Sequence, residues 1–214
     1  MTAVEVLSLL KKFEVPLLET RDVADILRIS RESAAKYLEG LRAGNFVERI
    51  RRGRWVVKDS SFDPLQIAEF ITAPKESYIS LHTALFYHGM IEQVPARIYA
   101  VTIDRSKVVQ TPFGIYSFHH CNPEFFSGYR FIKPYLKLAT PEKALVDYFY
   151  FAPSKTRQFT KLPELEIPRR FSWTRVREFI DSIPSARTRT VVKTNIDGYW
   201  KRPQRGKGSK ENIG

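Results

Sequence analysis

Cysteine is nearly absent from this chain. Cys121 is the only one in 214 residues, which excludes an intrachain disulfide framework and a cysteine-rich zinc site. Long hydrophobic runs are missing too: none approaches the ~20 apolar residues needed to span a bilayer. No secretory leader pattern precedes the first helix, so no membrane partner and a cytoplasmic location are expected. There is no glycine-rich phosphate loop, no His-Glu-x-x-His and no His-x-His, and no cofactor is expected. Acidic side chains are in deficit, 23 against 35 basic, for a net charge of +12. That deficit is uneven. Residues 1–58 hold 12 basic and 8 acidic groups, residues 59–186 hold 15 and 13, and residues 187–214 hold 8 and 2. Cationic surface therefore gathers at the two ends, while the middle is close to neutral and suited to a task other than binding nucleic acid.

What is present starts with an ordered pattern over the first sixty residues. A helix from Ala3 to Phe13 offers Val6, Leu7 and Leu10 as a buried stripe, and Pro16 ends it. Thr20 is expected to cap a second helix carrying Val23, Ile26 and Leu27 on one face. Ile29 makes a turn and Ser30 caps a third helix, with Ala34, Leu38 and Leu41 inward. That leaves Arg31, Ser33, Lys36 and Tyr37 near the outward face, where a recognition helix meets base edges. Gly44 is expected to stop the helix in a left-handed conformation. Phe46 to Ile50 alternate as a strand containing Arg49. Arg51-Arg52-Gly53-Arg54 form a basic turn, and Trp55-Val56-Val57 return. Helix, helix and cation-tipped hairpin in that order describe a winged helix-turn-helix over residues 1–59, with Arg49, Arg51, Arg52 and Arg54 directed at phosphates or a narrow minor groove.

Asp59-Ser60-Ser61 mark a boundary to a second domain, residues 62–194. Pro64 opens a helix with Leu65, Ala68 and Ile71 buried, and Ala73-Pro74 close it. A helix over 80–87 turns Leu81, Ala84, Leu85 and His88 to one side, with Gly89 as its stop. Strands are expected at 98–103, at 108–109 and 115–118 around the turn Thr111-Pro112-Phe113-Gly114, and at 135–139. Thr140 fits an N-cap, Pro141 the first helical position, and Glu142 the positive end of the helix dipole. Residues 153–170 read as loop, 173–183 as a helix with Val176, Phe179 and Ile183 buried, and 185–192 as a short terminal helix. The basic tail 195–214 is expected to be disordered.

Catalytic and metal chemistry finds little footing. His119 and His120 are adjacent on a strand and point to opposite faces, so with Glu124 they make a poor metal set. Asp104, Glu142 and Lys143 distantly resemble a nuclease pattern, but Glu142 already has a role in its helix's first turn. His88 reads as a hydrogen-bonded core histidine, Cys121 as a small buried hydrophobe. Phe125, Phe126, Tyr129, Phe131 and Tyr135 read best as core, with a partner-binding surface as the second reading. No catalytic residue and no enzyme activity are expected.

Tyr78-Ile79-Ser80-Leu81-His82-Thr83-Ala84-Leu85-Phe86-Tyr87-His88-Gly89 resembles the "yisl.sAL.yhGl" segment of the AbiEi-type antitoxins of bacterial abortive-infection (type IV) toxin–antitoxin systems. Thr111 to Gly114, Phe126 to Tyr129 and Ala139 to Asp147 continue the resemblance in the same order, over roughly residues 3–192. It implies an α+β protein, a winged helix followed by a larger mixed antitoxin domain. It further implies repression of its own operon through inverted repeats in double-stranded DNA, and neutralisation of a nucleotidyltransferase-like toxin. The antitoxin-domain motif positions would be Ser80, Ala84, His88, Gly89, Pro112, Gly114, Thr140, Pro141, Glu142, Lys143 and Asp147, most of them supporting the fold. Two alternatives stay open: a ligand-responsive winged-helix transcription factor and a DNA-processing nuclease.

Overall fold

The computed structural model describes residues 3–11, 16–58, 62–152 and 164–200. Among them are eight α-helices and two sheets, a mixed α+β architecture. The expected boundary at 59–61 and residues 153–163 of the segment expected as a loop at 153–170 lie outside the described residues.

The N-terminal part holds α1 (Ala3–Lys11), β1 (Leu17–Glu19), α2 (Thr20–Leu27), α3 (Arg31–Ala43), β2 (Val47–Arg51) and β3 (Arg54–Val57). The strands form an antiparallel sheet in the order β1-β3-β2. Val6 and Leu10 of α1, Val23 of α2, and Ala34, Leu38 and Leu41 of α3 are all buried in one cluster, as their helical spacing requires. Strand alternation then divides the sheet. Leu18, Val47, Trp55 and Val57 face the helices, whereas Leu17, Ile50 and Val56 join the core of the remainder of the chain. The sheet is thus sandwiched, with helices on one face and the body on the other.

Two caps differ from expectation. Glu19, not Thr20, caps α2, in a reciprocal box with Asp22. The Thr20 hydroxyl instead accepts the Trp55 indole N–H at 2.9 Å, which ties β3 to α2. Gly44 has φ −79°, and the left-handed residue is Asn45 at φ 63°. A Cβ at 44 would stand 2.8 Å from the ring of Phe46, an exposed side chain that would have to swing aside. Ser30 caps α3 as expected, its Oγ accepting the Ser33 N–H at 3.1 Å.

The body begins with a 3₁₀ turn, Pro64–Gln66, capped by Asp63, then α4 (Ile67–Thr72), β4 (Ser77–Ile79), α5 (Leu81–Tyr87), β5 (Ile98–Thr102), β6 (Lys107–Thr111) and β7 (Gly114–His120). A second 3₁₀ turn, Pro123–Phe125, leads to β8 (Tyr129–Lys133), β9 (Leu136–Ala139), α6 (Pro141–Phe151), α7 (Trp173–Asp181) and α8 (Ala186–Trp200). Six strands form one sheet, order β6-β7-β5-β4-β9-β8, with β5–β7 and β4–β9 parallel. Leu65 is half-buried, and Ile67, Ala68 and Ile71 carry α4 into the core. Helix α6 packs against α5, α7 and α8, and every residue from Glu142 to Phe149 is buried.

Two expectations fail here. Helix α8 runs on to Trp200, so the tail does not start at 195. Ile196 is buried, the Tyr199 hydroxyl accepts the Leu165 N–H, and the Trp200 ring meets Trp173, so apolar anchors every three to four residues outweigh the polar composition. Residues 201–214 lie outside the described residues. Of the aromatic run, Phe125 is core, but Phe131 and Tyr135 are exposed, because β8 is an edge strand and Tyr135 occupies a turn at φ 60°.

Candidate nucleic-acid interface

Helix α3 presents a divided surface. Ala34, Leu38 and Leu41 are sealed inside, and Arg31 and Lys36 are exposed on the N-terminal half. Ser33 is half-buried, its hydroxyl bonded to Ser30. Tyr37, expected outward, is half-buried against the helical cluster, so its ring supports the helix more than it reaches from it. Arg28 is exposed at the left-handed C-cap of α2 (φ 53°), immediately before the turn into α3. It was not among the expected residues, and its signal was a cation directly ahead of the turn.

The four hairpin arginines separate by environment. Arg51 and Arg52 are exposed at the tip. Arg49 ion-pairs with Glu39 of α3 at 3.1 Å and lies over the Trp55 ring. It belongs to a network in which Glu39 and Glu48 also engage Arg42, and Glu48 engages Lys58. Burial pushes the Glu48 carboxyl up, but the Arg49 backbone N–H and the cations Lys58 and Arg42 outweigh it and leave it below the usual range. Two carboxylates thus offset most of the charge of three cations on this side of the hairpin, and Arg49 braces the hairpin against α3.

Arg54 is a clear correction. Its guanidinium points away from solvent, 14% exposed, and pairs with Glu19 at 3.3 Å. It donates to the carbonyls of Phe70 and Ala73 and lies 4.9 Å over the Phe70 ring. Residues 51 to 54 begin a β-turn return, so the last arginine falls on the strand face that meets the body. It joins head to body and is unavailable to a phosphate.

The motif residues of the body fall into three places. Pro112 and Gly114 sit in the β6–β7 turn at one edge of the sheet. Ala84 is buried, and Gly89 ends α5 with φ +66°. His88 Nε2 lies 2.7 Å from the Ala139 carbonyl and links α5 to the end of β9. Ser80, Lys143 and Asp147 come together in the core. Lys143 Nζ donates to Asp147 Oδ1 at 2.8 Å and to the Phe125 carbonyl at 3.1 Å, and both side chains are 0% exposed. The other carboxylate oxygen accepts Ser80 Oγ–H at 2.7 Å and Tyr78 O–H at 3.0 Å.

Burial holds the Lys143 ammonium below its ordinary range despite Asp147, and burial with the adjacent carboxylate raises Tyr78 well above its own. Gly128, at φ +78°, makes the space: a Cβ there would be 2.8 Å from Lys143 Cγ and the Phe179 ring. The sequence signal of the pair is Lys and Asp at i, i+4 on a helix whose one other charged residue is Glu142. Thr140 caps α6, its hydroxyl accepting the Lys143 N–H at 3.3 Å, and Pro141 takes the first turn. Glu142 accepts the Ser172 N–H at 3.0 Å and so joins α6 to the start of α7.

The other candidates take structural partners. His119 and His120 do point apart: His119 stacks near Tyr99 and Phe151, and His120 bonds the Asp104 carbonyl. Asp104 pairs with Lys107 at 2.8 Å. Cys121 is buried, its thiol pushed up to about 12 by burial and by Asp147. Among the described residues no helix is long and apolar enough to cross a membrane. Comparison with models of known protein families and with curated proteins yields no match.

Proposed function

We propose that the chain is a DNA-binding transcriptional regulator whose first sixty residues act as a winged helix, with α3 as the reading helix and the β2–β3 hairpin as the wing. The observation that carries this reading is the pairing of two exposed cationic surfaces on one small scaffold. These are Arg31 and Lys36 on a helix whose opposite face is fully buried, and Arg51 and Arg52 on the adjoining hairpin tip. Arg28 extends the first surface. Phosphate neutralisation by the tip supplies affinity, and side chains of α3 supply sequence choice.

For the body, the resemblance of its ordered segments to AbiEi-type antitoxins supports a toxin-neutralising role, with no catalytic step. A gel-shift competition between the chain's own promoter and a scrambled duplex tests the DNA reading. Arg31→Ala with Lys36→Ala should abolish the preference for the promoter, and retained preference would overturn the assignment of α3. Co-expression with the neighbouring gene tests the body: point variants of the head should lose repression yet still protect growth. Truncation is the poorer experiment, because removing the head would bare the body surface that Leu17, Ile50 and Val56 cover.

A further inference from the structure

Helices α7 and α8 form an antiparallel pair, the first residue of one meeting the last of the other where the Trp173 and Trp200 rings stand edge to face at 5.1 Å. Between them runs a groove of about 230 Å³, floored by Val176, Ile180 and Ile196 and closed at one end by the two indoles. Each wall carries one cation and one carboxylate a turn apart, Arg177 and Asp181 on α7, Lys193 and Asp197 on α8. Their i, i+4 spacing permits pairing within each wall, yet among the described residues none of the four is in an ion pair.

We propose that this groove is a binding site for a small zwitterion with a planar aromatic body, the chemistry of an aromatic amino acid. The volume lies below the ~300–1,000 Å³ of pockets for drug-sized ligands and suits one ring system with a short charged arm. Indole is the strongest aromatic partner for a cation and stacks well on another ring. Each wall offers a carboxylate to an ammonium and a cation to a carboxylate, so a zwitterion engages both signs where a singly charged ligand leaves one sign without a partner. The site lies in the body and its test uses no DNA, so its failure would leave the DNA-binding reading untouched.

Calorimetric titration of the full chain with L-phenylalanine, L-tyrosine and L-tryptophan is the experiment, with phenethylamine and phenylacetate as analogues lacking one charge. At least one amino acid should bind with Kd below ~1 mM. Its single-charge analogue should bind about tenfold more weakly, the loss expected for one charged hydrogen bond. Arg177→Gln and Asp197→Asn, both at exposed positions, should each weaken it by a similar factor, as should Trp173→Leu. Where phenylalanine or tyrosine is the amino acid that binds, it should also perturb the tryptophan fluorescence of Trp55→Phe as it does that of the unmodified chain, because Trp55 lies in the head. No binding by any of the three, equal binding of glycine, or affinity unchanged in both exposed-charge variants would overturn the assignment.

Discussion

Replacing Lys143 by Met should destabilise the protein by about 3–5 kcal/mol, because it strips a buried carboxylate of its cation while changing volume little. The structure sets out the terms. Asp147 keeps the hydroxyls of Ser80 and Tyr78 but loses the ammonium at 2.8 Å, and the Phe125 carbonyl loses its donor. With an m-value of ~2–3 kcal/mol/M, the urea midpoint should fall by roughly 1–2 M. A double-variant cycle separates an orphaned charge from simple loss of contacts. Adding Asp147→Asn to Lys143→Met should recover much of the loss, a strongly non-additive cycle. A cost under ~1 kcal/mol, or a double variant as costly as the sum of the single ones, would refute the reasoning.

Gly128→Ala should cost about 2–4 kcal/mol in urea unfolding, since it combines a left-handed backbone with a Cβ 2.8 Å from Lys143 Cγ and the Phe179 ring. Midpoints within error of the unmodified chain would remove the case for space. Cys121 should be inert to a thiol-specific dye in the native protein and react stoichiometrically in urea, given its burial and a thiol pushed up to about 12. Acid should destabilise the fold through His119, whose imidazole burial lowers from 6.5 to about 4, with His82 adding to the effect. Below pH 6.5 the unfolded chain takes up the proton first, so stability falls as pH drops towards 4, by at most ~1.4 kcal/mol per unit. His119→Gln should flatten that slope, and an unchanged slope would count against it.

The helices of the head were readable from spacing because each has one buried stripe and a polar remainder, as Ala34, Leu38 and Leu41 illustrate. Strands β1 and β4, three residues each, were not, since two or three apolar residues fit loop, helix or strand equally. Only the first half of α8 was legible: its continuation past Val192 was masked by the polar run Lys193-Thr194-Asn195 and by Asp197-Gly198, although Ile196, Tyr199 and Trp200 keep helical spacing. Within the candidate site, sequence located the cations but not their environments. Arg51, Arg52 and Arg54 share a turn, yet β-alternation and the nearby Phe70 and Ala73 carbonyls turn one of them inward. Arg49 was lost to Glu39, ten residues away, a partner only the fold could supply.

The salt dependence of duplex binding tests the central claim most directly. Each phosphate neutralised contributes a slope of about −0.9 in log K against log salt, so Arg51→Ala with Arg52→Ala should flatten it by about 2. Arg49→Ala, already neutralised by Glu39, should change the slope by less than about half a unit. A double variant with an unaltered slope, or an Arg49 variant as damaging as the tip, would contradict the assignment of the hairpin to the DNA backbone.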